Sequence, residues 1–371
     1  MKNKKIWLKS EESGWRINII WYYMSVIGIH TKEETKMYNY DVEAFLKEGQ
    51  EVYGLRGTIE KAVDEVCANG VSKVVLTGVG GTIFELMSIK CIFDKYSTYD
   101  CILKNGAELL VEQPDWIDDH TVVITGSKSG DTPETVQACK YCKERGAKVI
   151  ALVGTEDCPL AEYTDYPIVS PIPGMTHTYF KFNLIALRMI YNHGEFDQYE
   201  KYADQCKDLY SAVVAIQEKF EPKAEEIAQK YSKAPYQMWI GSGIVWGEIN
   251  MFTMCILEEM QWMRTRAATS ADFFHGVLEL VEKDVPVYLV KGVDVYRPLD
   301  ERAERFLVQY ADDLTVIDLQ DYVLPGFSEE FAEILSPLVF NALTRGRLAY
   351  LFERETGHDL NIRRYYRQFK Y

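Results

Sequence analysis

"ITGSKSGDTPET" runs from Ile124 to Thr135 and joins the end of one apolar run to the start of a helical pattern. The run that leads into it, "HTVVITG", reads as a short buried strand. The run after it, "DTPETVQACKYCKERGA", has helical spacing, with Pro133 in its first turn and Gly146 near its stop. Ser127, Ser129, Gly130 and Thr132 therefore fall in a strand-to-helix turn. Hydroxyls beside free backbone N–H groups at a helix N-terminus make an anion site, and the helix dipole adds to it. Ser127, Ser129 and Thr132 are expected to converge on one phosphate. Lys128, the only cation of the loop, faces either that anion or solvent. A plain serine-rich N-cap turn would use the same residues.

Working outward, the pattern alternates strand and helix. "SKVVLTG" is a strand, "IFELMSIKCIFDKY" a helix, and "TYDCILK" and "KVIALVG" further strands. This reading is α/β, with a parallel sheet covered by helices on both faces. A long helical region, roughly Phe180 to Tyr231, separates a second half. There "YQMWIGSG", "VPVYLVKG" and "DDLTVIDL" read as strands, and "VWGEINMFTMCILEEMQWM" as a helix. A helical segment containing a proline, "SEEFAEILSPLVFNALTRGRLAYLFERETG", closes the second half. The two tandem halves look like a pseudo-repeat, each with a glycine-rich turn after a strand: "TGVGGT", Thr77 to Thr82, and "IGSG", Ile240 to Gly243. "TGVGGT" fits neither the dinucleotide fingerprint nor the Walker loop. Gly80 and Gly81 would let backbone approach a sugar-sized ligand, with Thr82 adding a hydroxyl, or the turn is a plain connection.

The chain has 371 residues, 47% hydrophobic, with a formal charge of -15. That balance argues against a nucleic-acid or anionic-membrane partner, since both need a basic face. An anionic substrate must be held by local dipoles and a few placed cations. The eight cysteines have no disulfide rhythm, which fits a reducing cytoplasm, and "CKYC" (Cys139 to Cys142) reads as one helix turn and not a metal or redox site. "INIIWYYMSVIGI", Ile17 to Ile29, is too short for a membrane span. The adjoining "KEETKM" can be encoded by a purine-rich ribosome-binding sequence before an ATG, so translation is expected to begin at Met37; a native mass that includes Met1 would refute this. The expected organisation is an extension over residues 1–36, a first subdomain over 37–195, and linking helices, a second subdomain and a tail over 196–371.

"GSKSGDT" resembles the serine-rich phosphate loop, S-x-S-G-x-T, of the sugar isomerase (SIS) family of phosphosugar-binding proteins, and "GVGGT" resembles that family's first glycine turn. The resemblance implies two doubly wound α/β subdomains, joined here by long helices, in a homodimer or higher homo-oligomer. A closer resemblance is to the fructosamine 6-phosphate deglycases, of fructoselysine and glucoselysine type. "WIGSG", "MCILEEM" and "DFFHGVLE" follow their order, and "RRYY", Arg363 to Tyr366, with the final Tyr371, resembles their C-terminal end. Glu259 precedes His275 by 16 residues (275 − 259), the interval of the matching pair in the isomerase half of glucosamine 6-phosphate synthase. Departures are Phe274, where a basic residue is common, and Val277 for the usual proline. Ile256 stands in place of the synthase's lysine, which argues against aminotransfer.

The resemblance implies that Glu259 moves protons at C1 and C2 of an open-chain fructosamine 6-phosphate. Burial on an apolar helix would bring such a carboxyl into the useful range. His275 would open the ring or protonate the leaving amine, and by resemblance it comes from the neighbouring subunit. Water would be the second substrate, and glucose 6-phosphate and an amino acid the products, with no metal, nucleotide or pyridoxal cofactor needed. Adjacent Glu258 is the rival to Glu259. Glu279 would orient His275 or only cap its segment. Arg363, Arg364 and Tyr365 would face the substrate or dock the tail on the dimer, and Lys370 is assigned no Schiff base. A phosphosugar aldose–ketose isomerase and a non-catalytic sugar-phosphate sensor remain alternatives, and the released amino acid is left open.

Overall fold

The computed structural model describes residues 37–172 and 174–369. The segment 1–36, Lys370 and Tyr371 lie outside the described residues. Among the described residues, nine strands form two wholly parallel sheets. The first contains β1 (Lys73–Gly78), β2 (Asp100–Asn105), β3 (Thr121–Ser127), β4 (Lys148–Val153) and β5 (Tyr166–Val169), in the order β2-β1-β3-β4-β5. The second contains β6 (Gln237–Gly241), β7 (Thr265–Thr269), β8 (Val287–Lys291) and β9 (Leu314–Asp318), in the order β7-β6-β8-β9. Both sheets place their second strand at one edge, beside the first. The pseudo-repeat is therefore a repeat of topology, with the second sheet one strand shorter.

The strands are apolar runs because both faces are covered. Val74, Leu76, Val122 and Ile124 face a core shared by both halves, while Val75, Val123 and Val149 face a smaller cluster on the other side. Cys139 and Cys142 lie in the helix Pro133–Glu144 and are buried in that smaller cluster. Burial pushes the Cys142 thiol up to about 12. The long helical region is Met175–Asn192, Tyr199–Gln205 and Leu209–Tyr231, broken by Gly194 at φ +83 and by a short 3-10 turn.

The two halves meet where the helix Gly81–Tyr96 crosses the helix Trp246–Asn250. A Cβ on Gly247 would lie 2.3 Å from the Phe84 carbonyl oxygen, so only glycine permits this approach. The Ser88 hydroxyl donates to the Ile244 carbonyl (2.7 Å) across the same crossing. Beyond Asn250 the second helix continues as a π-helix, Met251–Glu258, and Glu259 caps it. A π-turn adds a residue to each turn and so re-aims the side chains beyond it. Glu259 is the first of these.

Candidate functional site

The serine loop begins at the last residue of β3. The Ser127 hydroxyl lies 3.2 Å from the Thr132 hydroxyl and accepts from the Gly130 N–H (3.1 Å). Gly130 has φ +65, and a Cβ there would strike Cys158 Sγ at 2.3 Å. Thr132 is the N-cap of the helix Pro133–Glu144, with Pro133 in its first turn. Of the three hydroxyls expected to converge, the structure brings together Ser127 and Thr132. Ser129 is exposed and donates to the Asp131 carboxylate, which draws it away from the other two. Lys128 is exposed, and its carbonyl accepts from the Gly154 N–H (3.2 Å).

The first glycine turn abuts this loop. Thr82 donates its hydroxyl to the Gly126 carbonyl (3.2 Å), one residue before Ser127. Gly80, the N-cap of the helix Gly81–Tyr96, has φ +56 and ψ -130, a conformation that suits glycine alone, and a Cβ there would meet nothing within 4 Å. Gly80 thus borders open space, and Thr82 of the same turn bonds to the strand that ends in Ser127.

Glu259 is not the buried carboxylate expected from its apolar helix. It stands at the helix end with its side chain 32% exposed, and Arg363 Nε donates to its Oε1 at 2.8 Å. Glu258 is exposed and accepts from the Thr265 hydroxyl (2.6 Å). Ile256 is buried. His275 is exposed, after the short helix Ser270–Phe273 and before Gly276 at φ +140. Neither it nor Glu279 makes a side-chain hydrogen bond among the described residues. Phe274 packs under the Arg302 guanidinium, 4.0 Å from its ring centre, so a cation does stand beside the histidine segment.

Glu259 and His275 flank β7 from opposite ends, since the helix runs back from β6 before β7 begins. The five residues of β7 alone span about 13 Å at strand rise. Glu259 and His275 of one chain are not brought together.

The tail does join two parts of the site. Arg363 holds Glu259, and Arg367 Nη2 donates to the Ser129 hydroxyl (3.1 Å) and to Asp131 (2.8 Å). The hydrogen bonds from Ser129 and Arg367 hold the Asp131 carboxyl below its ordinary range. Arg364 lies 4.0 Å over the Trp262 ring and Tyr365 is exposed, and among the described residues neither side chain hydrogen-bonds to the loop. Asp131 lies within the loop quoted from the sequence and Arg367 directly follows "RRYY", but no local pattern singles out either.

A buried polar cluster lies at the crossing of the two halves. Glu248 accepts from the Tyr179 hydroxyl (2.7 Å) and from Asn341 Nδ2 (2.8 Å). Glu85 is buried with Oε1 lacking a partner among the described residues. Burial raises the carboxyl of Glu85 well above its ordinary value, and the Glu248 charge adds to this. Burial lifts Glu248 to about 8 and lowers Lys181, also in the cluster, to about 8. Cys255 links this cluster to Glu259: burial pushes its thiol up to about 12, and the charges of Glu259, Glu248 and Glu85 all add to the rise.

With this geometry in place, comparison with known proteins is direct. Residues 62–187 match the family model described as the SIS domain. The chain carries a SIS domain. Among curated relatives, the SIS-bearing chain is 28% identical to the fructosamine deglycase FrlB of Bacillus subtilis, over 91% of this chain and 99% of that one. It is 23% identical to the fructoselysine 6-phosphate deglycase of Escherichia coli, over 83% and 89%. Among solved structures, a Bacillus subtilis protein described as a phosphosugar isomerase superposes with a TM-score of 0.78 at 26% identity, over 85% of this chain and 97% of that one. The C-terminal domain of glucosamine-fructose-6-phosphate aminotransferase from Francisella tularensis has a TM-score of 0.73 at 16% identity, over 88% and 98%, a likeness of fold. No helix among the described residues is long and apolar enough to cross a membrane.

Proposed function

We propose that the protein is a fructosamine 6-phosphate deglycase, cleaving adducts such as fructoselysine 6-phosphate with water to glucose 6-phosphate and a free amino acid. The observation that carries this reading is the tail, which ties Glu259 through Arg363 to the serine loop through Arg367. One short segment thus reaches both the acid–base candidate and the phosphate candidate. Similarity to two deglycases over most of the chain supports the same substrate class.

In the proposed reaction the phosphate rests on Ser127, Thr132 and the N-terminus of the helix Pro133–Glu144, with the sugar over Gly80, Gly81 and Thr82. Once the ring is open, Glu259 takes a proton from C1. The C–H electron pair becomes the C1=C2 bond, and the C2 oxygen is protonated. Glu259 returns its proton at C2 as the nitrogen lone pair forms the C1=N bond. Water then adds at C1, the C–N bond breaks, and the amine leaves with a proton. His275 serves the oxygen and the leaving amine. Because it flanks β7 at the end opposite Glu259, it acts from a second copy in a homodimer. Buried Ile256 offers no amine near Glu259, which favours water over an amine-transfer chemistry.

The test is glucose 6-phosphate release from fructoselysine 6-phosphate and from other fructosamine 6-phosphates, with Glu259→Gln alongside. Release by the parent, reduced about 10²- to 10⁴-fold in the variant, is expected for positioned acid–base catalysis. Interconversion of an aldose and a ketose phosphate without amine release would make the protein an isomerase. Ligand binding without turnover would make it a sensor.

A further inference from the structure

The hydrogen bond from Arg363 to Glu259 has more built around it than a surface ion pair needs. Arg363 Nη1 donates to the carbonyls of Leu360 (2.5 Å) and Ile362 (3.1 Å), so its own turn fixes the guanidinium. Leu360 is buried, and its N–H donates to Glu353 Oε1 (2.9 Å), which anchors that turn to the preceding helix. The next residue, Arg364, stacks on Trp262, whose ring also lies 4.2 Å from that of His358. Trp262 has φ +58, a left-handed conformation that a bulky residue adopts only when its surroundings impose it. It follows Glu259 by three residues (262 − 259). The strained segment after Glu259 and the turn that carries Arg363 are therefore clasped together by two independent contacts.

We propose that Arg363 is a positioning residue for Glu259, holding Oε1 so that Oε2 is aimed at the sugar as the proton carrier. This rests on the deglycase reading for its chemistry, but the clasp itself does not. A half-buried glutamate at a helix end with no fixed partner samples several rotamers, and proton transfer between neighbouring carbons needs one of them. A fixed guanidinium on one oxygen selects that rotamer and leaves the second oxygen unencumbered. The role differs from substrate binding by a tail arginine, because the partner of Arg363 is the carboxylate and not the phosphate. Arg367, one helical turn's worth of sequence later, is the residue placed on the phosphate loop.

Two measurements test it. In steady-state kinetics, Arg363→Ala should lower kcat by about 10- to 100-fold while KM stays within about threefold, since a misplaced catalytic group costs rate and not affinity. Arg363→Lys, which keeps a cation at the site, should recover part of the loss. A raised KM with unchanged kcat would put Arg363 on the substrate and overturn the proposal. The second measurement needs no substrate. Glu259→Ala breaks the pair, so trypsin should cut after Arg363 or Arg364 several-fold faster in that variant than in the parent. Equal cleavage rates would show that the pair does not hold the tail. If the parent releases no glucose 6-phosphate yet the variant's tail is cut faster, the deglycase reading fails while the clasp stands.

Discussion

After β1 the chain turns through Gly78–Gly81 into one helix, and after β6 it turns through Gly241–Gly243 into another. Each turn faces a loop that comes after the third strand of its sheet, Ser127–Thr132 in the first half and Gly292–Tyr296 in the second. In the second half that loop carries Asp294, whose carboxylate accepts from the N–H groups of Ile244 (2.7 Å) and Tyr296 (2.9 Å). A Cβ on Gly243 would lie 1.9 Å from Asp294 Oδ2. In the first half the corresponding space beside Gly80 is open. The second half fills its backbone donors with its own anion. On the proposed reading the first half leaves Ser127 and Thr132 for an external one, so that one half binds and the other supplies Glu259 and His275.

The halves stay alike at their seam. Glu85 follows Gly78 by seven residues (85 − 78), and Glu248 follows Gly241 by seven (248 − 241). These two positions meet where the helices cross, each buried and each with its carboxyl raised by burial. Two carboxylates from equivalent positions thus face the same interior.

The division of labour can be broken most severely in the binding half. Ser127→Ala with Thr132→Val should raise KM by about 10- to 100-fold, the worth of hydrogen bonds to a charged group. Asp294→Asn, in the other half, should leave KM unchanged. Equal effects would mean that the second turn also takes ligand. A smaller effect separates the glycines by stability. Gly243→Ala must adopt φ +66 and displace Asp294, so thermal melting should show a loss of at least about 1–3 kcal/mol. Gly80→Ala meets only the backbone strain and should melt higher than Gly243→Ala.

The mildest test concerns the seam. A carboxyl whose pKa is raised in the folded chain keeps a proton that the unfolded chain gives up. Its stabilisation is therefore full below the ordinary value of 4.5 and is lost as pH rises through the folded value, about 8 for Glu248. Lys181, lowered to about 8 by burial, acts in a separate window, between 8 and its ordinary 10.5, where stability rises with pH. His177, lowered to about 4 by burial with Lys181 adding to it, costs stability below its ordinary 6.5. Tyr179 and Cys255 also face the cluster and titrate above this range. Glu248→Gln removes its own carboxylate contribution and relieves Glu85 of the Glu248 charge, so the difference in melting temperature between variant and parent should grow in the variant's favour from pH 5 to pH 8. A constant difference would show that Glu248 is ionised throughout.

The strands, both glycine turns and the serine loop were legible because glycine, proline and serine punctuate short apolar runs. The order of the two halves came from the same punctuation. Other features depend on contacts that no local pattern encodes. Arg367 reaches Ser129 across 238 positions of sequence, and nothing in "RRYYRQFKY" distinguishes it from Arg363 or Arg364. The exposure of Glu259 escaped an apolar helical pattern because its helix ends at that residue and does not continue to Met263. The seam carried a usable signal, the equal spacing of Glu85 and Glu248 from their glycine turns. Each looks like an ordinary surface glutamate until the crossing at Gly247 buries both.

The most direct test of the proposed division is complementation between two inactive variants, Glu259→Gln and His275→Asn. Each should lack turnover alone, because every site in its homodimer lacks one group. After subunit exchange, half of the dimers regain one intact site, so activity should return to about a quarter of the parent's. Recovery near that level would establish that Glu259 of one chain works with His275 of another. No recovery, with exchange verified by mass, would contradict a site assembled from two copies.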